Sequence, residues 1–485
     1  MTSTDTERRA EADLDGSAEA RQQQDTPAAG TGPGSTTSTG SHAARTGGRF
    51  LARARSSIAW WGALVVTSAL FVLHIAIYNP LSPVDEIQHI DYVLHMLDGD
   101  AVGAGDTFTE EGQDILACRW IDTAAPLGMP CGGPYDLSRM PGGGYDTAYI
   151  HAPFYYVTPA VAALAGSALG VDGDLVNVMR FSSVLWWALF VGIAWRLFRE
   201  LGVHKWVGAA GILVLAASPV ILQTFTIVNN DVTALPAGAA LTLAALRWDR
   251  GLLGLRWLVL IAAVAVAIKS TNVTMVIAVA LFVLARHWQG TNPRSWREWL
   301  PSRRPLLAIV ALGVTSAVVG LAWTVVQAQL QTMDPLLVPQ NQSFFAPSFE
   351  PMWLISSMDA FFTPINPEFY DSTLAGDTAR LVAVLTDYGL ITLTILGAVM
   401  AARGSQVRAL AFALGGTALF VPMLLIIVNY EAVSIFVLIT SRYGLSLVPA
   451  ALAIGLTFIR PKPARVVFTA VAVASVAGMA HTMLT

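Results

Sequence analysis

The feature that most constrains this chain is a repetition of apolar blocks. They lie near residues 58–78, 154–170, 181–198, 206–228, 232–246, 255–268, 273–285, 305–327, 381–402, 409–428, 443–459 and 466–484. Most approach the roughly 20 residues that cross a bilayer as a helix. Only 13% of the residues are charged and 54% are hydrophobic, where a soluble domain carries about 25% charged residues. Within hydrocarbon the backbone must satisfy its own polar groups, which for blocks of this length means helices. The expected fold is an all-α polytopic membrane protein.

The first 50 residues differ. They are rich in Ser, Thr, Gly, Ala, Gln and Asp and nearly free of large apolar side chains, so burial does not offset the entropy of ordering them. They read as a disordered cytoplasmic tail ahead of a transmembrane domain over 51–485. No apolar core lies near Met1 to make a signal peptide. The first block follows Arg49, Arg53 and Arg55 and reads as an uncleaved anchor.

Basic residues orient the blocks, because Lys and Arg collect on the cytoplasmic side. With the N-terminus inside and block 154–170 re-entrant or juxtamembrane, 23 of the 29 Lys and Arg fall inside. Arg119, Arg139, Arg180, Lys269, Arg380 and Arg442 are left outside. If 154–170 crossed fully, every later loop would violate the rule. This arrangement predicts 11 spans with the C-terminus outside. The hairpin 255–268/273–285 has arms of about 14 residues, about 21 Å long, short against a hydrocarbon core of about 30 Å. Lys269 at its tip is therefore expected in a recess lined by protein or wet.

Two large outer segments follow from this topology, 79–180 and 328–380. Residues 79–150 hold twelve acids and two bases, too long and too charged for a simple connection. They also hold both cysteines of the chain, Cys118 and Cys131. An oxidising outer face favours a disulfide between them; two free thiols are the alternative.

Polar groups that are costly at membrane depth converge on this side. Asp85-Glu86-x-x-His89 follows the first block, so that a helix there puts Asp85 and His89 on one face. His151-Ala152-Pro153 opens block 154–170 among Tyr149, Tyr155 and Tyr156. Asn229-Asn230-Asp231 and Lys269 are hairpin tips, and Arg442-Tyr443 lies near a later outer helix end. Each has a plain structural reading: a helix cap at Asp85 and Glu86, a tight turn at Asn229-Asn230-Asp231, a snorkelling Arg442. Their joint occurrence on one side points to a site.

Taken in order, these motifs resemble the integral-membrane glycosyltransferases of the GT-C superfamily. The likeness is to the protein O-mannosyltransferase and lipid A aminoarabinose transferase group, and to a related bacterial branch with a Pro-x-Asp-Glu-x-x-His first outer loop. Here that loop is Pro83-Val84-Asp85-Glu86-Ile87-Gln88-His89. The family's His/Tyr-Pro-Pro-Leu-Tyr-Tyr segment appears as His151-Ala152-Pro153-Phe154-Tyr155-Tyr156, with Ala152 for the first proline. Arg180 opens the next span. Asn230-Asp231, Lys269-Ser270-Thr271 and Ser441-Arg442-Tyr443 follow, with Ser441 for the usual Gly and Pro449 further on than usual.

The resemblance, over roughly 58–459, implies a GT-C-like bundle in a bacterial plasma membrane with an extracytoplasmic site. It implies transfer of a sugar, with inversion, from a polyprenyl-phosphate carrier to a cell-envelope glycan, lipid or protein acceptor. Such chemistry needs a base for the acceptor hydroxyl and positive charge for the departing phosphate. Asp85 is the expected base and Glu86 the second candidate. Lys269, Arg442 and Tyr443 are expected at the donor phosphate, and His89, His151, Tyr155, Asn230 and Asp231 at the acceptor or substrate. Asp85, His89 and Asp231 are also candidate ligands for a divalent ion, which the chemistry does not demand. A lipid-linked sugar flippase or transporter is the alternative, although no clear internal repeat is present. A metalloprotease would need His-Glu-x-x-His, which the chain lacks. The basic residues follow topology, so nucleic acid is not an expected partner.

Overall fold

The computed structural model describes residues 40–122, 128–171, 174–291, 295–339, 343–357, 359–365, 372–374 and 376–485. The expected tail lies outside the described residues up to position 39, and from Gly40 the chain is already helical. Residues 54–485 form one compact unit.

Nearly every apolar block is a helix. The first span ends α1 (Gly40–Ile77). After α2 (Glu86–Asp98), α3 (Glu110–Arg119) and the short α4 (Val157–Ala168) come α5 (Leu175–Glu200), α6 (Lys205–Ala216), α7 (Pro219–Thr224), α8 (Ala234–Asp249), α9 (Leu255–Ile268) and α10 (Val273–Thr291). The second half holds α11 (Arg303–Leu330), α12 (Met352–Ser356), α13 (Asp377–Met400), α14 (Gln406–Val433), α15 (Val448–Leu456) and α16 (Lys462–Leu484). A helical turn over Ser441–Leu447 leads into α15.

Among the described residues, seven helices are long and apolar enough to cross a membrane: the end of α1 and helices α5, α10, α11, α13, α14 and α16. The other four expected spans are short or broken. Pro219 stands at the first position of α7 and lacks an amide hydrogen, so block 206–228 is split into α6 and α7. Helices α8 and α9 have 16 and 14 residues, and α15 has nine after its helical turn. Helix α4, in the block read as re-entrant, has 12 residues, about 18 Å.

Long and short helices differ in what they face. On α11, Leu307, Val310, Val314, Val318, Leu321 and Val325 are exposed at helical spacing, an outward apolar stripe suited to lipid and not to water. By contrast α8 is buried along most of its length and touches α5, α9, α10 and α15. A Cβ on Gly238 would meet the Ser446 carbonyl oxygen at 2.0 Å. That glycine lets the turn carrying Arg442 lie directly on α8, which follows the short turn Asn230–Thr233 that carries Asp231.

The first inter-span segment is ordered around α2 and α3. Asp91 accepts hydrogen bonds from Thr109 N at 2.9 Å and Thr109 Oγ1 at 2.7 Å, and Thr109 caps α3 through Gly112 N. Cys118 and Cys131 form a disulfide that ties α3 to the following loop. The second segment leans on the first through Thr332 N and the Ala104 carbonyl at 2.8 Å. It also supplies β1 (Ser343–Phe345), antiparallel to β2 (Ile435–Val437), with Phe344 opposite Phe436.

Candidate active site

Asp85 and Glu86 are adjacent in sequence and diverge completely in space. Asp85 is the N-cap of α2 with φ 55° and ψ 17°, a left-handed backbone, and its side chain makes no capping bond. That conformation is uncommon outside glycine, although aspartate adopts it more readily than most. It directs the two side chains to opposite surroundings. The carboxylate of Glu86 is fully buried and accepts four hydrogen bonds: from Arg180 Nε and Nη2 at 2.8 Å each, Ser82 N at 2.8 Å and Val228 N at 3.0 Å. Arg180 spends its remaining donors on the carbonyls of Tyr78 and Pro80 and on Asn177 Oδ1. All five guanidinium donors and all four carboxylate lone-pair sites are thus occupied. The pair fastens the end of α1, the start of α2, α5 and the α7–α8 connection at one point. Glu86, expected as a second base, is a structural anchor with no lone pair left for a substrate.

Asp85 faces a cleft of about 120 Å³ that it shares with Gln88, His89, His151, Asn230, Asp231, Lys269, Arg442 and Tyr443. Thr147, Ala148, Ile150 and Val437 complete the walls. Four charges alternate across it. Arg442 Nη2 donates to Asp85 Oδ2 at 2.7 Å, and its Nη1 lies 3.6 Å from Asp231 Oδ2. Lys269 Nζ bonds Asp231 Oδ1 and donates to Asn230 Oδ1 at 2.6 Å. The Nδ2 of Asn230 is buried without a partner. The Asp85 side chain is 38% exposed, whereas Asp231 and Lys269 are almost completely buried. Burial lowers the Lys269 pKa against the pull of Asp231. Burial would raise that of Asp231, but the Lys269 and Arg442 charges outweigh it and hold it low. Lys269 and Asp231 face each other as a buried ion pair in the cleft.

The side wall is aromatic. His89 Nδ1 hydrogen-bonds Tyr156 Oη at 2.7 Å, and its ring stacks on His151 with centroids 5.5 Å apart. Tyr156 in turn stacks on Tyr92 at 3.9 Å. Burial, and then the nearby Lys269 and Arg442 charges, push His89 well below its usual pKa. Burial, with His89 and Lys269 beside it, does the same to His151. Both rings are neutral at neutral pH, so each has one donor and one acceptor nitrogen.

Of the expected residues, Asp85, His89, His151, Asn230, Asp231, Lys269, Arg442 and Tyr443 meet in this cleft. Tyr155 does not: it is fully buried, edge-on against Tyr156, and lines neither the cleft nor its neighbouring groove. Asp85, His89 and Asp231 share the cleft, but their donor atoms do not form a chelating group. Among the described residues the only such cluster is Asp114, Cys118 and Cys131, and its cysteines are joined to each other. Both cleft acids are also taken by cations. The trio does not fit a bound ion as arranged. Sequence reasoning missed Gln88, which accepts Thr147 N at 2.8 Å, and Val437, whose strand gave no periodic signal. It also left Arg180 without a role, although a lone arginine opening a span is a strong sign of a buried partner.

Beside the cleft, sharing Ile150 and His151 with it, lies a mostly apolar cavity of about 620 Å³ between the His151–Phe154 segment, α9 and α11. Val266, Ala267, Val319, Ala322, Trp323 and Val326 are among its walls.

Fold and site together define an integral membrane protein with a charged polar cleft that opens beside an apolar groove. Residues 156–323 match the family described as dolichyl-phosphate-mannose-protein mannosyltransferase. The match covers about a third of the chain and supports a GT-C-type membrane glycosyltransferase that uses a lipid-linked sugar. It includes Arg180, Asn230, Asp231 and Lys269; Asp85, His89, His151 and Arg442 lie outside it. No curated protein matches the chain.

Proposed function

We propose that this protein transfers a sugar from a polyprenyl-phosphate carrier to a hydroxyl of an extracytoplasmic envelope acceptor, by single displacement with inversion. The observation that carries this reading is the joining of two unlike sites. A cleft holding one accessible carboxylate against an ammonium and a guanidinium borders a mostly apolar cavity of about 620 Å³. The donor has the same two-part chemistry, an anionic phosphate on an isoprenoid chain.

In this mechanism the carrier phosphate enters between Lys269 and Arg442, with the free Asn230 Nδ2–H as a neutral donor. The isoprenoid lies along Val266, Val319 and Trp323. The phosphate competes with Asp85 for the Arg442 guanidinium, a strong charge-assisted contact. Asp85, released, takes the proton of the acceptor hydroxyl. The acceptor oxygen bonds to sugar C1 as the bond from C1 to the phosphate oxygen breaks. The carrier phosphate leaves with its new charge neutralised by Lys269 and Arg442. The neutral His89 and His151 rings and Tyr443 orient the sugar. The outer placement of the cleft is supported by the distribution of Lys and Arg.

The test is Asp85→Asn in purified protein, with a panel of polyprenyl-phosphate sugars. Asparagine keeps the shape and accepts the left-handed backbone but removes the base. Turnover is expected to fall by about 100-fold or more, with donor binding retained. Transfer near the wild-type rate would remove Asp85 from this role.

A further inference from the structure

A second cavity, of about 930 Å³, lies between α1, α5 and α8, away from the cleft. Helix α8 starts just after the cleft residues Asn230 and Asp231 and finishes here, as does α5. Arg180 is fixed to Glu86 near the cleft, and Arg196 lies 16 residues further along α5, about 24 Å away at 1.5 Å per residue. The cavity has two chemistries. Trp60, Leu189, Ile193 and Leu243 form an apolar wall, and Leu189 is 48% exposed toward the outside of the bundle. Arg196, Arg199, Arg247 and Arg250 form the rim, with Glu200 the one acid among the lining residues.

Glu200 is already engaged, by Arg250 Nη1 at 2.7 Å and Arg247 Nε at 3.4 Å. The side chains of Arg196 and Arg199 have no ion-pair or hydrogen-bond partner among the described residues. The indole Nε1–H of Trp60, at the same cavity, is buried without an acceptor. An excess of arginine at a membrane-span end follows from topology alone. Topology does not require a cavity of this size beneath that excess, half apolar, with unpaired donors around it.

We propose that this cavity is a binding site for an anionic phospholipid. The phosphodiester sits on Arg196 and Arg199, with Trp60 Nε1–H as a further donor, and an acyl chain lies along Leu189, Ile193 and Leu243. Guanidinium forks match phosphate oxygens two at a time, and indole rings favour headgroup depth. The apolar wall selects a lipid over a free anion. The proposal does not depend on the transferase reading, because no residue of the cleft takes part.

Native mass spectrometry of the full-length protein, released from nanodiscs of phosphatidylglycerol and phosphatidylcholine in equal amounts, tests it. The expected result is retention of one phosphatidylglycerol in preference to phosphatidylcholine, undisturbed by millimolar inorganic phosphate. Two interfacial arginines contribute about 1 kcal/mol each, so the pair Arg196→Gln and Arg199→Gln is expected to lower that retention about 30-fold. Equal retention of both lipids, unchanged retention in the glutamine pair, or displacement by inorganic phosphate would each overturn the proposal. Should the glutamine pair fail to insert, Arg196→Lys with Arg199→Lys keeps the charge that orients the chain and removes the fork. Phosphatidylglycerol retention is then expected to fall several-fold, and wild-type retention would again overturn it.

Discussion

Asp85 and Glu86 are neighbours in the chain, each paired with an arginine, and the two pairs are built for opposite ends. The Glu86–Arg180 pair is closed: both side chains are fully buried, and every donor and acceptor is used within the protein. The Asp85–Arg442 pair is open. It makes one good bond, shares its guanidinium with Asp231, and leaves the carboxylate more than a third exposed to the cleft. A closed pair resists exchange, because any new partner must replace several bonds at once. An open pair invites exchange, because an incoming anion meets a guanidinium already divided between two acids. Bond saturation, more than charge or burial alone, separates the closed pair from the exchangeable one.

The sharpest way to break this comparison is Glu86→Gln. It leaves Arg180 as an unbalanced buried charge, which costs about 3–5 kcal/mol. The expected outcome is a large loss of folded protein in detergent, read by thermal unfolding, while Asp85→Asn melts like the wild type. If Glu86→Gln instead melts normally and only turnover falls, the roles of the two acids are reversed.

Lys269 sharpens the open half. Burial of an ammonium is costly without anions, and here Asp231 and Asn230 hold it in place. Lys269→Met is expected to weaken donor-lipid binding by about tenfold or more, the order of one lost charge-assisted bond, with acceptor binding little changed. Lys269→Arg keeps the charge but not the geometry and is expected to recover part of the affinity. Competition binding with a polyprenyl phosphate reads both variants. Unchanged donor affinity in Lys269→Met would leave Arg442 as the single cationic phosphate ligand.

Much of this was legible in the sequence, for identifiable reasons. The helices were legible because hydrocarbon imposes a length and a composition on each. Lys269 was legible as a lone cation between two apolar blocks, although only α9, at 14 residues, is as short as expected, while α10 runs 19. The split of Asp85 from Glu86 was not legible, since it turns on one left-handed backbone position and on an arginine 94 residues away in the chain. Tyr155 and Tyr156 show the same limit. Both sit in one motif, yet Tyr156 reaches His89 while Tyr155 turns into the core. Adjacent residues on a turn point in different directions, and the motif fixes only that one of them will face the site.

The smallest expected effect concerns the segment that frames the cleft. His95 lies 3.4 Å from Asp91 and bonds the Thr107 carbonyl. The close Asp91 carboxylate, opposed by burial, raises its pKa to about 9. Nearby Asp146 is raised well above the carboxylate range, by burial first and then by the Asp91 charge. A histidine raised on folding stabilises the folded segment fully below its unfolded value of about 6.5, and that contribution is lost as pH climbs through about 9. A carboxylate raised on folding also loses its contribution as pH rises through its folded pKa, so both groups act in the same direction. The amides of Thr109 and Ala148, which donate to Asp91 and Asp146, report on the segment directly. Their hydrogen-exchange protection, corrected for intrinsic rates, is expected to decline between pH 7 and 9.5, while amides in α5 and α8 hold theirs. His95→Gln should flatten most of that decline. Equal loss of protection in α5 would show that the closed Glu86–Arg180 anchor does not isolate the bundle from the segment it fastens.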